Sequence, residues 1–401
     1  MNVSYYIAKR IRFAQRGSFS RIASNLAVIS ISLGIIILIV TIAIFFGFKK
    51  TIIDKVYNFD ADITVTKIDH FKLTDPLSLS SKNLRDVINL PIVEKFYSYG
   101  TVLGILQSNE EIEGIALFGV DTTFDKDKFM SNYFEGDFLS FKDKSEILVS
   151  THLANRLGIK LGDRVLFNIL SNKKIRHRWL HVKGIYRTDI EEVDQKRVIG
   201  DLNMVRRLYR WDSNKVEGIK ISLKEGIELE QAESLINDMT DYDTVTINIK
   251  NEYLALFDWL KILAINVNYL IIIVIAVVFL NIMSIVLILI IERSSMIGVL
   301  KSYGLTNSSL RKIFLFVVLR ITFKGLLIGN LIAGMFCLIQ IHFHIIPLDP
   351  ATYYMDSVPI LWSWEVFLLL NVSVVLLVSA IVFVPMLIIG AVSPIKSIKF
   401  E

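Results

Sequence analysis

Four apolar stretches, at about residues 26–48, 269–291, 325–346 and 366–390, constrain this chain more than any other feature. Each reaches the roughly 20 residues that a helix needs to cross about 30 Å of hydrocarbon. Hydrophobic residues make up 53% of the 401 and charged residues 21%, which excludes a purely soluble protein. The excess of 44 basic over 39 acidic residues, a net +5, is too small and scattered for nucleic-acid binding. Cys337 is the one cysteine, so an intrachain disulfide and a paired-thiolate metal site are both excluded. The first stretch reads as an uncleaved anchor, because its apolar core exceeds that of a signal peptide and Phe45-Phe46-Gly47-Phe48-Lys49-Lys50 follows in place of a small-residue cleavage site.

Orientation is set by Lys and Arg in the short flanks, which resist translocation. Lys9, Arg10, Arg12, Arg16 and Arg21 precede the first stretch, Arg293, Lys301, Arg311 and Lys312 lie between the second and third, and Lys396 and Lys399 follow the fourth. The connection 341–364 has no Lys or Arg, but carries Tyr353, Tyr354, Trp362 and Trp364, as an interfacial aromatic belt would. Both termini are therefore expected in the cytoplasm and about half the chain outside. The expected fold is an α+β membrane protein: four transmembrane helices plus a large extracytoplasmic α+β domain inserted between helices 1 and 2. Its parts are a cytoplasmic amphipathic segment 1–25, a first span 26–48, an outer domain 49–261 and a permease region 262–401. Within the outer domain, alternation predicts strands at 61–67, 146–150, 165–169, 181–186, 218–222 and 244–249, and helices at 151–157, 202–208 and 229–239.

No phosphate-binding loop, dinucleotide fingerprint, H-E-x-x-H pair or G-x-S-x-G elbow occurs, so an enzyme is not expected, and neither is a cofactor or a metal. His342 and His344 are spaced to face different sides of a helix, and interfacial packing explains them. The acidic group Asp189, Glu191, Glu192 and Asp194 reads as a solvated loop, since nothing apolar surrounds it in sequence. Asn281 and Ser284 share a face of the second span and suggest an interhelical hydrogen bond worth about 0.5–2 kcal/mol. Ser30 with Gly34, and Gly325 with Gly329 and Ala333, form small-residue stripes that let helices approach closely. Arg320 and Lys324 are expected at the inner interface, on an amphipathic helix 310–322 leading into the third span.

Past the second span the chain runs Glu292-Arg-Ser-Ser-Met296-Ile297-Gly298-Val-Leu300-Lys301-Ser-Tyr303-Gly304. Met296, Leu300 and Tyr303 recur at helical spacing with Ile297 adjoining them, Gly304 is a natural stop, and Thr306 or Asn307 can cap the next helix. An apolar face in the cytoplasm needs a partner, either another protein or the chain's own bundle.

The run Asn281, Ile282, Ser284, Glu292, Ile297, Gly298, Leu300, Lys301 and Gly304 resembles the C-terminal permease module of the FtsX-like family. The opening, Tyr6-Ile7-Ala8-Lys9-Arg10 through Ile31-Ser32-Leu33-Gly34 to Phe46-Gly47-Phe48, resembles that of LolC/LolE-type lipoprotein-releasing permeases, as do Val358-Pro359 and the tail Ser393–Glu401. Leu153-Ala154 with Gly162-Asp163 is similar to the outer domain shared with MacB-like permeases. The resemblance implies a non-catalytic subunit of an ABC complex in the bacterial inner membrane. It implies as partners a separate ATPase subunit, a second permease copy or paralogue, a lipoprotein substrate, a periplasmic lipoprotein carrier and membrane lipids. The expected function is release of lipoproteins toward the outer membrane. The alternatives are FtsX-like mechanotransmission to a cell-wall hydrolase and MacB-like export.

Three residue sets are expected to carry it. Glu292, Met296, Ile297, Gly298, Leu300, Lys301, Tyr303 and Gly304 couple to the ATPase. Phe45, Phe46, Phe48, Phe257, Trp259, Leu260 and Leu263 line an acyl-chain cavity. Lys173, Lys174, Arg176 and Arg178 form a docking tip, on an interval that lacks proline and reads as a plain hairpin in place of the hook the resemblance implies.

Overall fold

The computed structural model describes residues 19–68, 76–108, 111–131, 133–143, 145–171 and 174–386. Lys9, Arg10, Arg12, Arg16, Lys173, the end of the fourth apolar stretch and the tail with Lys396 and Lys399 lie outside them. Contacts divide the chain into two units. The membrane unit holds the chain up to Lys50, Leu260–Pro347 and the chain from Ser357; the inserted domain holds Thr51–Trp259 with Leu348–Asp356.

Among the described residues, long apolar runs interrupted by proline only at Pro385, in the last turn of α5, give four long helices, α1 (Phe19–Phe59), α2 (Leu254–Glu292), α4 (Asn307–Phe343) and α5 (Trp364–Met386), with the short α3 (Ser294–Ser302) between α2 and α4. The four long ones are apolar enough to cross a membrane. The predicted lead-in helix 310–322 is not separate: no Gly or Pro occurs from Asn307 to Lys324, so α4 runs unbroken through it into the third apolar stretch. Arg320 and Lys324 are exposed on that one helix. Thr306 caps α4 by accepting from the Ser309 amide, and His344 closes it at φ +46°.

Small residues set how closely these helices pack. A Cβ on Gly325 would lie 2.8 Å from Ile31 Cβ, and one on Gly329 would strike Ile35 and the Ser32 carbonyl. The Ser32 hydroxyl donates to the Gly325 carbonyl at 2.9 Å. The polar pair expected at Asn281 and Ser284 turns inward on its own helix, bonding the Val277 and Leu280 carbonyls one turn back. Each carbonyl lies within reach of a side chain four residues on, which satisfies the polar atom without a partner helix. The amide pair that does cross helices is Asn330 on α4 with Asn371 on α5, 2.7 Å apart.

The described residues of the domain form twelve strands: β1 (Ile63–Lys67), β2 (Leu77–Ser78), β3 (Val93–Ser108), β4 (Glu111–Val120), β5 (Tyr133–Gly136), β6 (Glu146–Ser150), β7 (Arg164–Ser171), β8 (Lys174–Arg187), β9 (Arg197–Asp201), β10 (Lys215–Val216), β11 (Gly218–Leu223) and β12 (Thr244–Asn248). Ten form one sheet ordered β12-β1-β11-β3-β4-β9-β6-β8-β5, with β7 bridging β3 and β8, and β2 pairs with β10. β4 with β9 and β6 with β8 are parallel; the other pairs are antiparallel. Helices Thr151–Leu157, Leu202–Tyr209 and Leu229–Met239 belong to the domain, where Leu153, Leu202, Val205 and Ile236 enter one apolar core with Leu117, Ile147, Phe167 and Ile219.

The six predicted strand segments fall on β1, β6, β7, β8, β11 and β12, and the three predicted helices on these three. The longest hairpin, β3 with β4, went unread because Gly100, Gly104, Gly114 and Gly119 interrupt its alternation. At Gly104 the reason is space: a Cβ there would strike the Phe167 ring.

Candidate functional site

The loop after α2 is built against its own bundle. Ile297 is completely buried with Leu310, Ile313 and Phe314, Gly298 is buried, and Leu300 packs on the same cluster. This corrects the expected face of Met296, Leu300 and Tyr303. The side of α3 turned to solvent carries Ser295, Val299, Ser302 and Tyr303, with Val299 40% and Tyr303 81% exposed. That spacing is one helical stripe, and α3 ends where Gly304 takes φ +84° and its amide bonds the Lys301 carbonyl. Glu292 is exposed, and Met296 and Lys301 are half-buried. The arrangement offers an apolar and aromatic stripe on a helix fixed from behind.

The seven expected lining residues divide between the units: Phe45, Phe46, Phe48, Leu260 and Leu263 in the membrane unit, Phe257 and Trp259 in the domain. Phe48 and Leu260 are buried, so neither offers the open surface expected of it, and Phe46 is exposed. Phe46 shares a narrow crevice with Trp362, Phe367 and Leu370, and its ring lies 5.5 Å from that of Phe45. Gly47 between the phenylalanines has a packing cause: a Cβ there would meet the Pro359 carbonyl, and one turn back Ala43 O accepts from the Leu361 amide at 3.0 Å. The Phe46-Gly47-Phe48 and Val358-Pro359 motifs, far apart in sequence, thus meet in space. Trp259 packs edge-on against Tyr354 in the domain, at 6.3 Å.

The basic hairpin forms as predicted, with β7 and β8 paired from Arg164 opposite His181 to Ser171 opposite Lys174. Lys173 lies outside the described residues, Lys174 is placed only as backbone, Arg176 is half-buried and Arg178 exposed. Arg178 opens on a recess also lined by Lys142, His177, Trp179 and Arg207, of which sequence reading had only Arg178. Lys142 comes from a loop and Arg207 from a helix distant in sequence, while His177 and Trp179 flank Arg178 on β8, where Trp179 is 65% exposed.

Of the acidic segment expected to be a solvated loop, Glu191 and Glu192 are exposed, on the short helix Glu191–Asp194, whereas Asp189 and Asp194 are enclosed. Asp194 is buried and accepts from the Thr188 amide and hydroxyl and the Asp189 amide; burial raises its carboxyl above the usual range against those bonds. Asp189 pairs with Lys55 and, at 3.1 Å, with Arg187, and Arg187 reaches Asp356 at 3.1 Å. Thr188, Asp189 and Arg187 belong to the same stretch of chain, while Lys55 and Asp356 are brought to it from 134 and 169 positions away. His342 bonds the Leu338 carbonyl and His344 the Ser357 hydroxyl, and no metal-binding group of His, Cys, Asp or Glu occurs among the described residues.

A larger ionic group, missed in the sequence, lies deeper. Asp60, the residue after α1, has Lys220 Nζ at 2.6 Å and Arg197 at 3.8 Å, and accepts from the Tyr253 hydroxyl at 2.8 Å. Lys220 also pairs with Glu252 at 2.7 Å. Burial works to raise the Asp60 carboxyl, but Lys220, Arg197 and the Tyr253 hydroxyl outweigh it and hold it below the usual range. A lysine facing away from Ile219 and Ile221 in a strand buried on both sides was the one signal available.

Four spanning helices with an α+β domain inserted between the first and second define a multi-pass permease of the bacterial inner membrane, of the ABC transporter class. The chain belongs to the family of the MacB-like periplasmic core domain, which matches residues 24–239, over half its length; the FtsX-like permease C-terminal family matches residues 268–394. Among its relatives are the lipoprotein-releasing system transmembrane proteins LolC of Haemophilus influenzae, 22% identical over 82% of each chain, and LolC of Xylella fastidiosa, 22% identical over 87% of each. LolE of Haemophilus influenzae is 18% identical over 82% of this chain and 81% of its own.

Proposed function

We propose that this chain is the permease subunit of an ABC complex that spends ATP, hydrolysed by a separate ATPase subunit, to release lipoproteins from the inner membrane for transfer to the outer membrane. What carries the reading is similarity to LolC and LolE proteins, named for lipoprotein release, across four fifths of both chains. In this reading both termini lie in the cytoplasm and the inserted domain outside, which the Lys and Arg distribution supports. The task needs power: at about 0.8 kcal/mol per CH₂, exposing one long acyl chain to water costs on the order of 10 kcal/mol. The ATPase docks on the Val299 and Tyr303 stripe of α3, which the bundle supports from behind through Ile297 and Leu300. Two permeases, identical or paralogous, surround the acyl chain, with Phe46 on its path, and the recess of Arg178, Lys142 and Arg207 receives a soluble carrier.

Photocrosslinkers at Tyr303 and Phe46 test this. The expected adducts are to an ATPase subunit from Tyr303 and to a lipoprotein from Phe46; absence of both sinks the reading. The FtsX-like match over 268–394 favours a second reading, a transmitter that drives a cell-wall hydrolase. Depletion separates the two: lipoproteins stranded in the inner membrane support the first, cell chaining without that defect the second.

A further inference from the structure

The inserted domain contains a charged cluster whose centre is closed to solvent and whose edge, at Glu252, is partly exposed. The Asp60 side chain is fully buried and that of Lys220 2% exposed, so no ligand reaches them. Their neighbours are the ends of two helices. Phe59 is the last residue of α1, and the Asp60 amide still bonds the Val56 carbonyl at 2.9 Å. Glu252 and Tyr253 immediately precede α2. Lys220, from the middle of β11, bridges Asp60 and Glu252 at 2.6 and 2.7 Å. Glu252 also accepts from Thr64 of β1 at 2.7 Å. The Tyr253 hydroxyl donates to Asp60, its ring packs edge-on to Phe59 at 6.2 Å, and Arg197 of β9 lies between the Phe59 and Phe118 rings at 4.9 and 4.7 Å.

We propose that Asp60, Lys220 and Glu252 are positioning residues that clasp the end of α1 and the start of α2 to β1, β9 and β11, so that movement of either helix end is passed to the sheet in fixed register. Apolar residues of similar volume would fill this space at no loss of stability, because taking charges out of water offsets much of what their pairing returns. What directional bonds add is register: an apolar contact slips under load, whereas a lysine held by two carboxylates must break both bonds to shift. The clasp rests on the reading of the chain as an ABC permease, since it needs a stroke to transmit.

The test uses the full-length chain with its ATPase in proteoliposomes. Hydrogen exchange of β9 and β11 is read with and without a non-hydrolysable ATP analogue, and ATP hydrolysis and lipoprotein release are measured in parallel. The Asp60→Asn/Lys220→Met pair removes the central charges at nearly constant volume, and Glu252→Gln loosens the partly exposed arm. In the unaltered chain the analogue changes exchange at β9 and β11. The double variant is expected to melt at an unchanged temperature and hydrolyse ATP normally, while release per ATP and the exchange change each fall about 10-fold, within the range of coupling between sites. Glu252→Gln is expected to lower both in part. Unchanged coupling in the double variant overturns the clasp, and so does a variant that fails to fold, which would make the cluster a stability element. Absence of any nucleotide effect in the unaltered chain removes the ABC reading, and the clasp with it.

Discussion

In the inserted domain the side chains that fix the end of α1 and the start of α2 to the sheet are charged, with Asp60 and Lys220 buried, whereas in the membrane unit close contact falls to residues with almost no side chain. Lys220 reaches into the domain to hold Asp60 and Glu252, each with a hydrogen-bonded or ionic partner on another element. Gly325 and Gly329 instead leave room for Ile31 and Ile35 of α1, and Ser32 supplies a single hydrogen bond across the gap. The contrast follows from the surroundings. Within a sheet domain, burial of apolar side chains drives packing and can carry the cost of an enclosed ion cluster; between helices in lipid no such drive exists, so intimacy of contact must hold them.

Breaking each kind of contact should therefore give unequal effects. The largest is expected from Lys220→Met alone, which takes from the buried Asp60 carboxylate its nearest cation, leaving Arg197 at 3.8 Å and neutral donors such as the Tyr253 hydroxyl, and should cost about 3–5 kcal/mol, read as a lowered unfolding midpoint of the full chain in detergent. Gly329→Val comes next: its Cβ would strike Ile35 and the Ser32 carbonyl, and overpacking of about 1–3 kcal/mol should separate α1 from α4, seen as a lower melting temperature and a broadened elution profile. Were the order reversed, the membrane unit and not the ion cluster would be the more demanding of the two.

Acid sharpens the contrast within the domain. The Asp60 carboxyl titrates below its usual range when folded, so its contribution is complete above the unfolded value of about 3.9 and is lost as pH falls through the lower folded value. Asp194 runs the other way. Burial raises its carboxyl, so the folded state takes up a proton first and gains stability as pH falls from neutral through that raised value, the gain ending near the unfolded value of about 3.9. Asp194→Asn is expected to flatten the rise in midpoint between about pH 7 and 4, and an unaltered slope would show that Asp194 is not its source. The smallest stability change is expected from Tyr303→Ala, within about 0.5 kcal/mol for so exposed a residue. Its association with the ATPase should nonetheless weaken about 10-fold or more, the scale of an aromatic anchor at an interface.

The same contrast explains which features could be read from the sequence. The long helices follow from uninterrupted apolar length, and the small-residue stripe of Gly325 and Gly329 follows from spacing on one helix, so local periodicity suffices for both. Strands with clean alternation, such as β6 and β11, are legible for the same reason. Contacts between distant residues are not. Asp60 and Tyr253 stand 193 positions apart, and the carboxylate of Asp189 looked solvated because Lys55, 134 positions away, reaches it only in the folded chain. Nor does spacing show which side of α3 its own bundle covers: Leu300 and Tyr303 share a helical stripe in sequence, but the packing of Ile297 on Leu310 and Phe314 turns Leu300 inward and Tyr303 out.

Lipoprotein release driven by ATP can be measured outright with the purified chain and its ATPase in proteoliposomes loaded with an acylated lipoprotein. The lipoprotein should leave the membrane fraction when hydrolysable ATP is supplied and stay there with ADP. If ATP is hydrolysed while the lipoprotein remains membrane-bound to the same extent in both conditions, this permease does not serve lipoprotein release.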